Sequence, residues 1–280
     1  MADDVREPRD DMADTADAAR RALIHAALTA YEDAGLSGLC AEGRWEAAVD
    51  AMRRLELAPT IASPTTADLT ASVSRIVAVV GAAAAPPPSG GSVAAATGAL
   101  AAALTQMVAG LTAGRPRYAD VAGEMQHAAH QASALAAELV ALVARDAAAV
   151  DAVGVAYRLP KNPDDAASAR ITAIERAMLA STEAPLEIAR AAARVAALAA
   201  TVAERGNRNA VADATVAVLL AQSVCRASAL TVSVNVPALR DAQAGVRLER
   251  DASTAVDAAD RAAARAIAAV EQATGGRTHR

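Results

Sequence analysis

The chain has 280 residues, 54% of them hydrophobic and only 1% aromatic, with a net charge of −5 and a pI near 5.4. The acidic balance excludes a general nucleic-acid binder, and the polar, acidic stretch Met1 to Asp11 is no signal peptide. Cys40 and Cys225 are isolated thiols without metal or redox spacing, which fits a reducing cytoplasm. With no Phe and one Trp, the core must be built from Ala, Val and Leu on closely spaced helices.

In chain order, residues 1–14 read as a solvated tail. Residues 15–58 read as a helix hairpin. Ala19, Leu23, Ala26, Ala27 and Ala30 stripe its first helix, and Trp45, Ala48, Val49 and Met52 its second. Residues 59–66, with Ser63-Pro64-Thr65-Thr66, read as a linker. The remainder, 67–273, reads as one helical domain, followed by a tail over 274–280.

That domain starts with a short helix to Gly81. The most unusual stretch follows, Pro86-Pro87-Pro88-Ser89-Gly90-Gly91-Ser92, leading into a small-residue helix that ends at Ala113. From Ile76 to Gly114 no residue is charged. The prolines fix φ, the glycines relax it, and the helix head leaves N–H groups free for an anion or a polarised carbonyl. The alternatives are a rigid loop entering a buried helix, or a membrane span. Gln106 and the preponderance of Ala, Gly, Thr and Ser favour a helix in close contact with soluble neighbours.

A long helix is predicted from Arg117 to Arg158, striped by Val121, Met125, Ala132, Leu135, Leu139, Val143, Val150 and Val153. Asp146 falls on that stripe, where a carboxylate is costly unless paired or functional; Arg145 faces elsewhere. His127 and His130 read as surface residues rather than a metal pair, and no metal site is predicted. After the two-proline loop Leu159 to Pro163, a helix runs to Arg205, with a break predicted at Ser181 to Pro185. The next helix begins at Asn209, with Asn209 and Asp213 heading a core stripe through Val216 and Leu220, and a charged outer helix runs from Pro237 to Ala273. Lys161 is the only lysine beside 26 arginines, which suggests a need for a compact or titratable ammonium, or chance. No strand signal is present, so the fold class is all-α, an antiparallel helical bundle with long central helices plus an N-terminal hairpin.

The order of these blocks resembles the cyclodeaminase/cyclohydrolase family of folate enzymes. The family pattern Pro-x-Pro-Gly-Gly-Gly-Ser, then Met-Val-x-x-Leu-Thr-x-Gly with basic residues and Tyr, reads here as Pro86 to Ser92, Met107 to Gly114 and Arg115-Pro116-Arg117-Tyr118. Asp146 before Ala156 to Lys161, then Ala184 to Ala189, then Gly206 to Asp213 with Asn235, are similar to the later blocks. Ser89 departs from the family's glycine, Gly110 and Thr231 from its asparagines, and Arg115 and Arg117 from its lysines.

The resemblance implies an enzyme hydrolysing 5,10-methenyltetrahydrofolate to 10-formyltetrahydrofolate. Its alternatives are a formiminotetrahydrofolate cyclodeaminase releasing ammonia, or a non-catalytic folate-binding module of the same fold. The tetrahydrofolate derivative would be substrate, with no tightly bound cofactor, and the assembly a homodimer or larger, without nucleic acid or membrane. Asp213, Asp146 and Lys161 would be the catalytic residues. Ser92, Gly90, Gly91, Arg117, Tyr157, Arg158, Asn207, Asn209 and Asn235 would bind substrate. One pocket beside the proline–glycine bend is expected to gather Asp146, Asp213 and Ser92.

Overall fold

The structure is a computed structural model that describes residues 20, 23–35, 37, 39–54, 66–82, 88–161 and 164–275. The N-terminal tail, residues 276–280 of the C-terminal one, most of the linker, Pro86, Pro87 and the Asn162-Pro163 loop lie outside these residues. Among the described residues every regular element is helical. The chain divides into two units, Met1–Ala78 and Val79–Arg280.

In the first unit, α1 (residues 23–35) and α2 (Ala41–Arg54) form the expected hairpin. Leu39 N–H donates to the Ala34 carbonyl at 3.0 Å, and the Arg44 guanidinium stands 5.8 Å over the Tyr31 ring. Only Ala34 and Ala48 are buried among its described residues, and Ile24, Leu28 and Trp45 are exposed. In α3 (Thr66–Gly81) no residue is buried.

The second unit is a bundle of α4 (Gly90–Ala113), α5 (Ala122–Arg158), α6 (Asp164–Arg205), α7 (Val211–Asn235) and α8 (Ala242–Ala273). α6 packs against all four others, and α4 lies between α5 and α7. Its core is mostly Ala: Ala189, Ala191, Ala192, Ala196, Ala199 and Ala200 are fully buried on α6, facing such residues as Ala95, Ala102, Ala214, Ala217 and Ala259. Methyl-sized side chains let helix axes approach closely, and stability accrues from many short contacts rather than a few bulky ones.

Cross-helix contacts fix the directions. Ser92 of α4 reaches Asp146 of α5 at 2.9 Å, and Gly98 lies beside Leu139 and Val224, so α4 runs antiparallel to α5 and α7. Arg145–Glu187, Arg194–Glu138 and Arg205–Glu124 tie α5 antiparallel to α6. Arg190–Asp251 and Arg265–Glu204, each 2.6 Å, set α8 parallel to α6. Such exposed pairs contribute about 0–1 kcal/mol each and act mainly on register. The Arg265 guanidinium lowers the Glu204 pKa below the usual carboxylate value through its hydrogen bonds.

Three local expectations change. The long helix is preceded by a separate 3₁₀ turn, Pro116–Val121, because Tyr118 departs from helical backbone angles. A second 3₁₀ turn, Val236–Ala238, comes between α7 and α8, and Asp241 then caps α8 by accepting from Ala244 N–H at 2.9 Å. α6 is continuous through Pro185. Pro185 cannot donate to the Ser181 carbonyl, and Asn235 Nδ2 donates to that carbonyl instead, at 2.8 Å. The long helix, α6, therefore survives its proline because an amide from α7 replaces the missing donor.

Candidate functional site

The N-terminus of α4 is built on Ser89, which occupies the N-cap with extended backbone. Its hydroxyl accepts from Ser92 N–H at 3.1 Å. The same hydroxyl donates to Asp146 Oδ2, and Ser92 Oγ donates to that oxygen at 2.9 Å. Two hydroxyls thus converge on one carboxylate oxygen, which leaves Oδ1 for another donor. Asp146 is 4% exposed, on the buried line of α5 between Leu142 and Ala149. It sits at the positive end of α4, where an anion is favoured.

Gly91 makes that approach possible. A Cβ at position 91 would overlap the carboxylate, with Asp146 Cγ at 2.6 Å and Oδ2 at 2.8 Å. Gly90 has open space around the same point and is exposed. Arg145, next along α5, pairs with Glu187 of α6 rather than with Asp146, as its facing requires.

Beyond this end, α5 continues to Tyr157 and Arg158, both exposed, and the loop carries exposed Lys161. The Arg170 guanidinium lies 5.8 Å from the Tyr157 ring and donates to the Tyr157 carbonyl at 3.2 Å, so that aromatic is held against α6. Asn235 is committed through Nδ2 to the α6 backbone, a structural role that the sequence did not suggest.

The opposite end of α4 holds a second polar cluster. Thr112 is fully buried; its Oγ1 donates to the Val108 carbonyl at 2.8 Å and accepts from Asn207 N–H at 3.0 Å. Asn207, 3% exposed, caps a short 3₁₀ turn, Arg208–Ala210, by accepting from Asn209 N–H at 3.1 Å. Tyr118 Oη accepts from Arg208 N–H at 3.1 Å. Asn209, Asp213 and Arg117 lie exposed around this end.

Asn209 and Asp213 therefore do not head a core stripe. The buried line of α7 is Ala214, Thr215, Ala217, Val218, Ala221, Val224, Cys225, Ser228 and Val232, whereas Val216 is 48% exposed. α7 is apolar on nearly every side, so periodicity does not choose a face. Close packing then turns the smaller residues inward and leaves Val216, Leu219, Leu230 and Val234 outside. On that buried line the Cys225 thiol is pushed up to about 12, chiefly by desolvation, and is no nucleophile.

Within one chain, Asp146 and Asp213 do not share a pocket. Ser92 marks one end and Thr112 the other, twenty residues apart on α4, or about 30 Å at the rise of an α-helix. The structure brings Ser92, Gly90, Gly91 and Asp146 together at one end, and Arg117, Asn207, Asn209 and Asp213 together at the other. Ser89, Thr112 and Tyr118 complete the two clusters. A Ser-x-x-Ser spacing at a helix start was the sequence signal for the first of these three.

The all-α bundle with a buried carboxylate held against a Gly-Gly-Ser helix start defines a helical-bundle protein with a polar pocket at the head of α4. The sequence profile of the formiminotransferase-cyclodeaminase family matches residues 72–271, and the chain belongs to that family. A curated relative, the methenyltetrahydrofolate cyclohydrolase of Methylorubrum extorquens, is 42% identical over 145 residues, covering 52% of this chain and 70% of the relative. The crystal structure of formiminotetrahydrofolate cyclodeaminase from Thermotoga maritima superposes with a TM-score of 0.65 at 22% identity, over 72% of this chain and 96% of that one. That likeness establishes the all-α fold.

Proposed function

We propose that this chain is a folate one-carbon enzyme that hydrolyses 5,10-methenyltetrahydrofolate to 10-formyltetrahydrofolate. The 42% identity to a methenyltetrahydrofolate cyclohydrolase carries the reading. The buried, doubly hydrogen-bonded Asp146 supports it, since the substrate's bridge is a cation.

In the reaction, water oxygen bonds to the methenyl carbon and gives up a proton to a carboxylate. The tetrahedral adduct then breaks its C–N5 bond, N5 takes a proton, and the formyl group stays on N10 with net release of one proton. Asp213, exposed in the first turn of α7, is the proposed acid/base. Asp146 faces the cationic bridge or anchors the pterin. Ser92 with the Gly90 and Gly91 amides, and Asn207 and Asn209, orient polar atoms of the pterin. Lys161, Arg117 and Arg158 meet the glutamate carboxylates, beside Tyr157. A positioned acid/base of this kind typically contributes about 10²–10⁴-fold in rate. The active form is a homodimer.

Offering purified protein 5,10-methenyltetrahydrofolate and 5-formiminotetrahydrofolate separately tests the assignment. Loss of the methenyl chromophore, with no ammonia from the formimino compound, is the expected result. Ammonia release would reassign the chain to cyclodeaminase chemistry, and inertness toward both would remove the enzymatic reading.

A further inference from the structure

Past the head of α4, one face of α5 lies open. α4 starts at Gly90, level with Asp146, and runs away from it, so the following turns of α5 extend beyond it. Asp146, Val150, Val153 and Tyr157 are spaced four, three and four residues apart and share that face. Asp146 is buried, whereas Val150 and Tyr157 are both about half exposed. Asp146 and Tyr157 lie eleven residues apart, about 16 Å at the rise of an α-helix. That reach is comparable to a folate measured from its pteridine ring to its glutamate.

The far end of this row is built by Arg170 of α6. Its Nη2 donates to the Tyr157 carbonyl at 3.2 Å, and its guanidinium carbon stands 5.8 Å from the centre of the Tyr157 ring. Its Nε is buried without an acceptor. A buried donor left unmet is destabilising, the more so on a cation. Arg190, Arg194 and Arg205 of the same helix each pair with a carboxylate, whereas Arg170 pairs with none among the described residues. The tyrosine therefore fixes its place, and a cation against one face of the ring leaves the other face to a ligand. Gly154 adds to this. A Cβ there would come within 3.3 Å of Arg158 Nη1, so that guanidinium lies back over α5, one turn behind its own Cα. Exposed Lys161 brings a third cation to the tip.

We infer that Arg170 is a positioning residue for the substrate: it holds Tyr157 as the wall on which the p-aminobenzoyl ring of the folate stacks, and so sets affinity for the p-aminobenzoyl-glutamate half. The inference rests on the folate reading of the site and goes beyond it, since that reading gives Arg170 no part. The row matches such a ligand from end to end. Asp146 Oδ1 is left to accept pterin N–H donors, and the valines flank the apolar middle. The Tyr157 ring takes another ring in an offset stack, and guanidinium forks take carboxylates. The plain alternative is that Arg170 only caps the C-terminus of α5, as basic side chains do.

Kinetics separates the two. Arg170→Gln is expected to raise KM for 5,10-methenyltetrahydrofolate about tenfold, the size of one well-placed aromatic contact. Its kcat should stay within about twofold of wild type, because binding common to substrate and transition state is what is lost. Tyr157→Ala, an exposed truncation that leaves the core intact, is expected to do the same. The double variant should be no worse than Tyr157→Ala alone, since both changes remove one wall. A lowered unfolding midpoint with KM unchanged, or two losses that simply multiply, overturns the inference.

A second measurement needs no turnover. p-Aminobenzoyl-L-glutamate is titrated into the protein and followed by NMR. Its aromatic protons are expected to move upfield under the Tyr157 ring current, with the shift abolished in Tyr157→Ala and reduced in Arg170→Gln. Unshifted protons with wild-type protein overturn the wall, even where that protein turns over methenyltetrahydrofolate. A shift that Tyr157→Ala abolishes sustains it, even where the protein turns over no folate, so the two readings fail separately.

Discussion

The two ends of α4 solve opposite problems with similar residues. At the Ser92 end a charged side chain is buried and hydroxyls are brought to it. At the Thr112 end a backbone is buried, and a hydroxyl and an amide complete its hydrogen bonds, while the carboxylate stays outside. Each end also needs a glycine, against different atoms. At Gly91 a Cβ would meet the Asp146 carboxylate; at Gly206 it would meet the Val202 carbonyl oxygen and, at 3.2 Å, Thr112 Oγ1. One glycine therefore makes room for a buried carboxylate, and the other for a chain reversal between α6 and α7.

The glycines give the sharpest way to break that comparison. Gly206→Ala forces backbone apart, so a loss of about 3 kcal/mol in unfolding free energy is expected, read by chemical denaturation. Gly91→Ala displaces a side chain, so a smaller loss of about 1–2 kcal/mol is expected. Its turnover should nonetheless fall by about 100-fold if Asp146 has its proposed role, because that carboxylate is moved by roughly an ångström. Equal stability losses with unchanged turnover in Gly91→Ala would show that the two ends are alike.

The hydroxyls come next. Thr112→Val keeps the shape and leaves the buried Asn207 N–H without its acceptor, at a cost of about 1–3 kcal/mol. Ser89→Ala removes a helix cap and one donor to Asp146, costing about 1 kcal/mol. The two should separate by function: Thr112→Val lowers the unfolding midpoint with kcat intact, and Ser89→Ala lowers kcat as well. A Ser89→Ala protein with unchanged kcat would make Ser89 a cap and nothing more.

How much of this was legible depends on what each residue is judged against. Asp146 was visible because a carboxylate falls on an apolar stripe of α5, although the buried line runs through Leu142 and Ala149 and leaves Val150, expected on that stripe, 46% exposed. The all-α bundle was visible for the same reason, helical spacing repeated without a strand signal. On α7 the contrast vanishes: Ala, Val and Leu surround the whole helix, and Asn209 with Asp213 was assigned to the wrong face. The break at Pro185 was drawn from a local rule that Asn235, 50 residues away in sequence, overrides through one hydrogen bond. The division of the site into two ends is a property of helix direction. Directions are set by contacts such as Arg145–Glu187 and Thr112–Asn207, which no single segment contains. Ser89, met first as a departure from a glycine-rich pattern, proves to be a cap and a carboxylate donor at once.

The smallest effect concerns Tyr118, and it tests whether the Thr112 end is held by its buried bonds alone. Tyr118 Oη accepts from Arg208 N–H at 3.1 Å, a bond at the exposed surface of the turn. Water can take the place of the phenol there, so the desolvation penalty that makes Thr112→Val costly does not apply. Tyr118→Phe is expected to change unfolding free energy by no more than about 0.5 kcal/mol, measured beside Thr112→Val in the same denaturant series. A loss as large as that of Thr112→Val would mean the turn depends on its outer bond, and that this end of α4 is organised from the surface inward.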